Sequence, residues 1–425
     1  MRQIALFEIE KKNSKSNKLI RELPFKKIRN EYFDFKNTPA SIGIYGIHPY
    51  PAMFHFLVVR ELIKRFSKEG EYVLDPFMGS GVVAGECLIS GRNFIGYDIN
   101  PLAILISKVR TTPIQSKILL ETLEDISESF RDKKPEIVEF PNIHYWFDDD
   151  VIKNLSRLRQ AIFTIKNNKV TDFFKVVFSE TVRRVSRIRY NEFKLLRRKD
   201  ENDNKDVLKI FRELSLKNIG LLTDFYRKFA PIKITLKLEE RNIINGIPLK
   251  DNSIDLVITS PPYGDSRTTV AYGQFSRLSL KWLGLEENID KASLGAKLKD
   301  ISFDLPSPLL YEFIERIKDI DKKRAKEVFS FYNDLYNSIQ IIAKKVKSTG
   351  YVCFVVGNRR VKGLELPTDE ISADFFKHHG FEHQITIIRA ISNKRMPIEN
   401  APSNIKGRKD FTMRNEYIVI LKKLI

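Results

Sequence analysis

Two hydrophobic patterns alternate along the chain and predict alternating strands and helices. Short apolar runs at 72–74, 94–98 and 254–258 are typical of strands that are buried on both faces of a sheet. Apolar positions spaced at helical intervals in 54–66 and 82–90 predict helices between them. The same alternation returns later, with helices predicted at 326–347 and 369–379 and strands at 350–356, 384–390 and 417–422. This order predicts an α/β fold built on a doubly wound, Rossmann-like sheet with helices on both faces.

The middle of the chain interrupts this alternation. Residues 110–240 have largely helical spacing, which predicts a helical insertion, and residues 286–325 form a second charged, mostly helical excursion. Residues 1–40 are polar and basic and are expected to form a solvated arm or an arm that touches phosphates. A chain of 425 residues exceeds the usual size of one domain, so we expect one large domain with an insertion, or two domains.

A glycine-rich turn follows the first buried strand. The residues Asp-Pro-Phe-Met-Gly-Ser-Gly at 75–81 stand between a strand and a helix, and the next strand ends at Asp98. Gly79 and Gly81 let the backbone turn sharply beside a ligand, and an acidic residue at Asp98 can bind two ribose hydroxyls. The turn lacks the Lys-Ser/Thr of a phosphate-binding loop and the third glycine of a dinucleotide site. The unit therefore predicts a nucleoside ligand other than ATP or NAD.

A second polar turn follows the strand at 254–258. Its residues Ser260, Pro261, Pro262 and Tyr263 form a stiff loop, because both prolines fix their backbone angles and remove donors. The outward carbonyls, the Ser260 hydroxyl and the Tyr263 ring suit a planar base with an exocyclic amine. A strand-ending turn with a Pro-Pro stop is the alternative reading of the same residues.

Charge and composition narrow the possible partners. The formal net charge of +19, from 73 Lys and Arg against 54 Asp and Glu, favours a polyanionic partner, although a coding bias that enriches Lys and Ile also produces such an excess. Cys87 and Cys353 lie in apolar segments, and neither they nor the six histidines show a disulfide or metal-ligand spacing. No apolar run reaches membrane-spanning length and no signal peptide is evident, so we expect a cytoplasmic protein with no metal and no membrane contact.

Several basic clusters are candidates for contact with nucleic acid. The arginines at 183–189 surround a serine and a tyrosine and suit phosphates and base edges, and a solvated helix face explains them equally well. Packing is the alternative for Arg267, and surface solubility is the alternative for Lys394 and Arg395. The candidates are Arg183, Arg184, Arg187, Arg189, Arg267, Lys394 and Arg395.

The two turns together resemble a known family. Residues 75–81, Gly-Tyr-Asp-Ile-Asn-Pro at 96–101 and Thr-Ser-Pro-Pro-Tyr-Gly-Asp at 259–265 are similar to the cofactor and catalytic motifs of S-adenosylmethionine-dependent DNA amino-methyltransferases of restriction–modification systems. His48-Pro49-Tyr50-Pro51-Ala52 is similar to the segment that helps this family to hold the methionine part of the cofactor. The Ser-Pro-Pro-Tyr form is associated with the cytosine N4 amine, whereas Asp or Asn before Pro-Pro is the commoner adenine form.

The resemblance implies a role for each matching residue and a division of the chain. The cofactor S-adenosylmethionine would contact His48, Pro49, Asp75, Phe77, Gly79, Gly81 and Asp98, with Asn245 in place of the acidic residue often found near its adenine, and Ser260 to Tyr263 would act on the base. The expected regions are a basic arm (1–40), a cofactor-binding half (41–110), a helical insertion with possible DNA contacts (111–240) and a catalytic half (241–425). The implied partners are double-stranded DNA and a possible cognate restriction endonuclease.

The implied reaction transfers a methyl group to cytosine N4 in duplex DNA, with the base flipped out of the helix. Three alternatives stay open at this point: methylation of adenine N6, methylation of an amine in RNA, and DNA binding by a non-catalytic relic of the fold.

Overall fold

The computed structural model describes residues 26–132, 134–198, 205–264, 270–391, 399–400, 410–411 and 413–425. Within these residues the main sheet has eight strands in the spatial order β1-β9-β12-β6-β5-β2-β3-β4. Its strands are β1 (Lys27–Arg29), β2 (Tyr72–Asp75), β3 (Asn93–Asp98), β4 (Leu236–Glu240), β5 (Ile254–Thr259), β6 (Val346–Val356), β9 (Phe381–Ala390) and β12 (Asn415–Lys423). Two short ladders pair β7 (Arg360–Val361) with β8 (Leu364–Glu365) and β10 (Glu399–Asn400) with β11 (Asp410–Phe411).

The strands of the main sheet run parallel except for β12, which is antiparallel to both β6 and β9. The chain leaves β2 in one direction, through β3 and β4, and later returns to the other side of β2 through β5 and β6. The order therefore reverses between β2 and β5. In open α/β sheets, ligands bind outside the carboxyl ends of the strands at such a reversal.

Helices cover both faces of the sheet, as the apolar strands require. Alternate residues of β5 point to opposite sides: Leu256 and Ile258 belong to one buried core, and Val257 to the other. The described helices are α1 (Phe56–Phe66), α2 (Val82–Ser90), α3 (Pro101–Arg110), α4 (Ser116–Asp132), α5 (Ile143–Trp146), α6 (Asp149–Phe163), α7 (Asn168–Val185), α8 (Val207–Lys228), α9 (Tyr272–Leu283), α10 (Ile289–Ala292), α11 (Pro308–Ile320), α12 (Lys322–Lys345) and α13 (Thr368–His378). None of these described helices combines the length and the apolarity that a membrane crossing requires.

The architecture confirms the α/β, doubly wound, Rossmann-like sheet with a helical insertion. Helices α4 to α8 lie between α3 and β4 in the chain. The predicted end of the insertion at residue 240 needs a correction, because Leu236–Glu240 is the edge strand β4, which pairs in parallel with β3. A correction also applies to the end of the basic arm, because Lys27–Arg29 pairs in parallel with β9. Residues 1–25 of that arm lie outside the described residues.

Candidate active site

A cleft opens at the reversal point, where the loops after β2 and β5 meet. Its empty volume, including the solvent at its mouth, is about 930 Å³. Residues 75–80 of the glycine turn, Asp98, Ser260 and Pro262 all line it, whereas Gly81 is not among the lining residues. The structure thus brings the two turns singled out in the sequence, which are about 180 residues apart, to one cleft on one edge of the sheet.

The glycine turn needs glycine at two positions. Gly79 and Gly81 have φ angles of 52° and 77°, in the left-handed region that other residues rarely adopt. A Cβ at position 81 would lie 2.5 Å from Ser107 Oγ and 2.7 Å from Ser107 Cβ. Gly81 immediately precedes α2. One side of the turn packs against Ser107 of α3, and the other side is open to the cleft.

A buried arginine fixes the same turn from behind. Arg110 Nη1 donates to the Ser80 carbonyl (2.5 Å) and hydroxyl (2.7 Å), and Nη2 donates to the Tyr45 carbonyl at 3.0 Å. Burial lowers the pKa of Arg110 to about 10. Because it contacts neutral oxygens and not a carboxylate, Arg110 joins the segment before α1 to the glycine turn without neutralising Asp98.

Asp98 is held at the end of β3 with both oxygens directed by backbone donors. The amide of Gly79 donates to Oδ2 at 2.8 Å, and the amide of Asn100 donates to Oδ1 at 2.8 Å. Burial raises the pKa of Asp98 to about 6, so the carboxylate is ionised at neutral pH. Each carboxylate oxygen can accept further hydrogen bonds, as the two ribose hydroxyls of a nucleoside would require.

Asp75 connects the cofactor turn to the strand that precedes Ser260. The Thr259 hydroxyl donates to Asp75 Oδ1 at 2.7 Å, and the Phe77 amide donates to the same atom at 3.2 Å. Burial raises the pKa of Asp75 to about 7. Its carboxyl lines the cleft and also fixes the spacing between β2 and β5.

The loop at 260–264 is anchored behind the cleft. Ser260 Oγ lies 3.0 Å from Tyr263 Oη, and that hydroxyl donates to Glu416 Oε1 at 3.0 Å. A Cβ at Gly357 would lie 2.8 Å from the Tyr263 ring, so the glycine makes room for it. Ser260 and Pro262 face the cleft, whereas Pro261 is buried and Tyr263 is not among the lining residues.

The segment before α1 contributes to the cleft, but not through the two residues that were predicted to contact the cofactor. Tyr50 and its neighbours through Phe54 line the cleft, but His48 and Pro49 do not. His48 is buried, its Nε2 lies 2.9 Å from the Ser179 hydroxyl, and burial lowers its pKa to about 3. His48 therefore supports the segment as a neutral side chain, and Tyr50 presents the segment to the cleft.

Other lining residues were missed. Asn100 donates from Nδ2 to the Tyr50 hydroxyl (3.1 Å) and to Ser276 Oγ (2.8 Å), which joins the segment before α1 to α9. Asn100 lies in the motif at 96–101, so a signal for it was present in the sequence. Tyr272, Arg241 and residues 292–294 also line the cleft without any comparable sequence signal.

Asn245, which the resemblance places near the cofactor's adenine, lies close to the cleft in sequence but does not line it. Asn242 and Ile243 line the cleft, whereas Asn245, in the same short 3₁₀ turn, is not among the lining residues. Asn242 Oδ1 accepts from the Ile244 amide at 3.1 Å and its Nδ2 donates to the Ala292 carbonyl at 2.9 Å. Asn242, and not Asn245, therefore lines the cleft.

The basic candidates differ sharply in exposure. Arg183 is 3% exposed, donates to the Phe275 carbonyl at 2.7 Å, and lies 3.8 Å from the centre of the Phe275 ring. Its assignment as a DNA contact is wrong, because the guanidinium is packed inside the protein. Arg184 pairs with Glu180 and Arg187 pairs with Asp148, and both are partly exposed.

Arg189 is exposed and pairs with Glu192 at 3.3 Å. The surrounding segment packs next to the start of α9, where the Leu195 amide donates to Gln274 Oε1 at 3.2 Å and Phe193 contacts Phe275. This places a basic segment close to the helix that carries the cleft residue Tyr272. Arg267, Lys394 and Arg395 lie outside the described residues.

The cleft has the size and the lining of a small-molecule site. The volume is within the range of small-molecule sites, and the lining is mainly apolar with a few fixed polar groups, of which Asp98 is the one suited to a ribose. Among the described residues, no three His, Cys, Asp or Glu side chains come together in a way that would hold a metal ion.

Comparison with known proteins identifies the family. A family model described as DNA methylase (N6_N4_Mtase) matches residues 3–109. The chain is 37% identical to the Type II methyltransferase M.MvaI of Kocuria varians, over 97% of this chain and 98% of the relative. It is also 23% identical to the Type II methyltransferase M.BsoBI of Geobacillus stearothermophilus, over 78% and 77% of the two chains.

Among solved structures, a SAM-dependent methyltransferase from Methanosarcina mazei aligns with 89% of this chain and 99% of its own chain. Its TM-score is 0.30 at 10% identity, a similarity too low to inform the site.

Proposed function

We propose that this chain, which belongs to the type II DNA methyltransferases and uses S-adenosylmethionine, transfers the methyl group to the exocyclic N4 amine of cytosine in duplex DNA. The observation that carries the proposal is the shared cleft, which Ser260 and Pro262 line together with Gly79 and Asp98. Serine before Pro-Pro favours cytosine, because Asp or Asn is commoner at this position in the adenine-specific members of the family that the motifs resemble.

The cofactor supplies an electrophilic methyl group on a positively charged sulfur. Asp98 would hold its ribose through the two directed oxygens, and the left-handed turn at Gly79 and Gly81 would allow the backbone to approach it. Asn242 would lie near its adenine, and Tyr50 near its methionine part. These roles come from position in the cleft and from the chemistry of each side chain.

The catalytic loop would act by orientation and by accepting hydrogen bonds. The target cytosine, flipped out of the duplex, would place its amine at the Ser260 hydroxyl and the Pro261 carbonyl. Because Tyr263 does not line the cleft and its hydroxyl donates to Glu416, we assign its ring to support of the loop and not to stacking on the base. Acceptors at both amine hydrogens draw the lone pair out of the ring's delocalised system. Well-oriented reactants contribute up to about 7–11 kcal/mol to barrier lowering in favourable cases.

A duplex would approach the edge of the sheet that carries the cleft. The partly exposed Arg184 and Arg187 and the exposed Arg189 lie on the segment that packs against α9, so we propose that this segment contacts the phosphates beside the flipped base. Arg267, Lys394 and Arg395 remain proposed contacts on sequence grounds alone. We also propose that the cofactor-binding half, the helical insertion and the catalytic half are separate functional regions. In this division β1 and β4 belong to the sheet, and not to the basic arm or the insertion.

The direct test is expression in a host that lacks DNA methylation, followed by nucleoside mass spectrometry and sequencing of modified positions. We expect 4-methylcytosine in one short sequence motif, and none from the Ser260→Ala variant. 6-Methyladenine alone would refute the cytosine assignment, and label confined to RNA would refute the DNA substrate. Resistance of the modified DNA to a nuclease that cuts the same motif would support a cognate restriction endonuclease.

A further inference from the structure

A chain of hydrogen bonds leads from the cleft into the sheet behind it. Ser260 Oγ, which lines the cleft, lies 3.0 Å from Tyr263 Oη, and Tyr263 donates to Glu416 Oε1 at 3.0 Å. The other oxygen, Oε2, accepts from Arg389 Nη1 at 2.6 Å. The Glu416 side chain keeps 18% exposure, so the chain runs from the site to a group that reaches water.

The sheet fixes this arrangement. Glu416 and Arg389 are opposite each other in the register of β12 and β9, so their side chains share one face, and Arg389 is 4% exposed. Burial raises the pKa of Tyr263 well above its ordinary value, with the Glu416 charge as the next cause. The tyrosine is therefore a neutral donor to Glu416, and its oxygen is free to accept the Ser260 proton.

Methylation of an amine also requires removal of a proton. The nitrogen of a nucleobase amine is a very weak base, because its lone pair is delocalised, so its methylated, still protonated form is a strong acid. Such an acid needs only a modest acceptor at hydrogen-bond distance. Within the part of the chain that the structure describes, the Ser260 hydroxyl is the cleft-lining group already connected to a carboxylate through a tyrosine.

We propose that Ser260, Tyr263 and Glu416 form a proton relay for the methyl-transfer step. The amine nitrogen forms a bond to the methyl carbon while the carbon–sulfur bond breaks, and the bonding pair stays on sulfur as a neutral thioether. The amine proton passes to Ser260 Oγ, the Ser260 proton passes to Tyr263 Oη, and the tyrosine proton passes to Glu416. Water then takes the proton from Glu416. This inference rests on the proposed function, because it places the target amine at Ser260.

Glu416 acts through Tyr263, so it is a positioning residue that also receives the proton. The first test needs no cofactor or DNA. In protein labelled with ¹³C at tyrosine Cζ, the Tyr263 resonance is assigned by its loss in Tyr263→Phe. We expect it to shift in Glu416→Gln and to stay in place in Glu382→Gln, which changes an exposed carboxylate at the other end of β9. An unshifted resonance in Glu416→Gln would overturn the relay.

The second test measures the single-turnover rate on duplex DNA with saturating S-adenosylmethionine. Tyr263→Phe keeps the ring and the Glu416–Arg389 pair, and we expect it to slow the chemical step about 10- to 100-fold and to reduce its solvent deuterium isotope effect. Glu416→Gln should slow the step similarly, the double variant should lose little more, and Glu416→Asp should recover part of the rate. Cofactor affinity should be unchanged in all of them.

Failure of the relay can be distinguished from failure of the proposed function. A wild-type rate and isotope effect in Tyr263→Phe would overturn the relay, while 4-methylcytosine as the product would leave the proposed function intact. If Glu416→Gln fails to fold, Tyr263→Phe still decides the matter. Absence of methylated base from the wild-type protein would overturn both.

Discussion

Replacing Gly81 with alanine is expected to destabilise the fold and to weaken cofactor binding together. The φ angle of 77° costs an L-residue roughly 1–2 kcal/mol. The new Cβ would lie 2.5 Å from Ser107 Oγ and 3.0 Å from Ser107 Cα, and overpacking of this kind costs about 1–3 kcal/mol. Because the backbone of Ser107 cannot move away without shifting α3, we expect a total loss of about 2–5 kcal/mol.

Gly70 provides the matched control. Its φ angle is 81°, and a Cβ there would meet nothing within 4 Å, so Gly70→Ala carries the conformational cost alone, about 1–2 kcal/mol. Urea unfolding of the two variants and the wild type gives the comparison, and the rise in melting temperature with S-adenosylmethionine reports binding. Equal losses in both variants, or an unchanged response to the cofactor in Gly81→Ala, would refute the packing argument.

Three further predictions concern charged residues. Asp98→Asn should raise the dissociation constant of S-adenosylmethionine roughly tenfold or more, measured by calorimetry, because charged hydrogen bonds are worth about 1.5–3 kcal/mol; an unchanged affinity would remove Asp98 from the site. Burial raises the pKa of Asp75 from 3.8 to about 7, so its contribution to stability is fully present below pH 3.8 and is lost as the pH rises to 7. Between pH 4 and 8, the free energy of unfolding of Asp75→Asn measured in urea should therefore rise relative to that of the wild type by up to about 4 kcal/mol. Parallel pH curves for the two proteins would contradict this. Arg183→Ala should lower the melting temperature, whereas Arg189→Ala should leave it unchanged and reduce the salt dependence of duplex binding by about one phosphate contact; the opposite pattern would restore Arg183 as a DNA contact.

The sequence was sufficient where one local segment carries the whole signal. The strand, glycine turn, helix, strand and Asp98 occupy fewer than 30 consecutive residues, and each step has its own residue type. Ser260 and Pro262 follow a strand that reads as buried on both faces. Because parallel strands end at the same edge, their meeting with Gly79 followed from the fold class.

The rest depends on partners that are distant in the chain. β4 reads Leu-Lys-Leu-Glu-Glu at the sheet edge, and its charged residues resemble the end of the long helix before it. Arg183 looked like a surface charge, because nothing near it in sequence reveals the Phe275 ring that covers it. Glu416 reaches Tyr263 only through the pairing of β12 with its neighbours, a register that no local pattern contains.

The most direct test of the shared cleft is a structure of the protein with a stable analogue of S-adenosylmethionine and a duplex that contains the methylation site. We predict the ribose at Asp98 and a flipped cytosine at Ser260, with the amine nitrogen about 3–3.5 Å from the position of the transferable methyl group. An analogue bound away from Gly79 and Asp98, or a target base on the opposite edge of the sheet, would contradict the account.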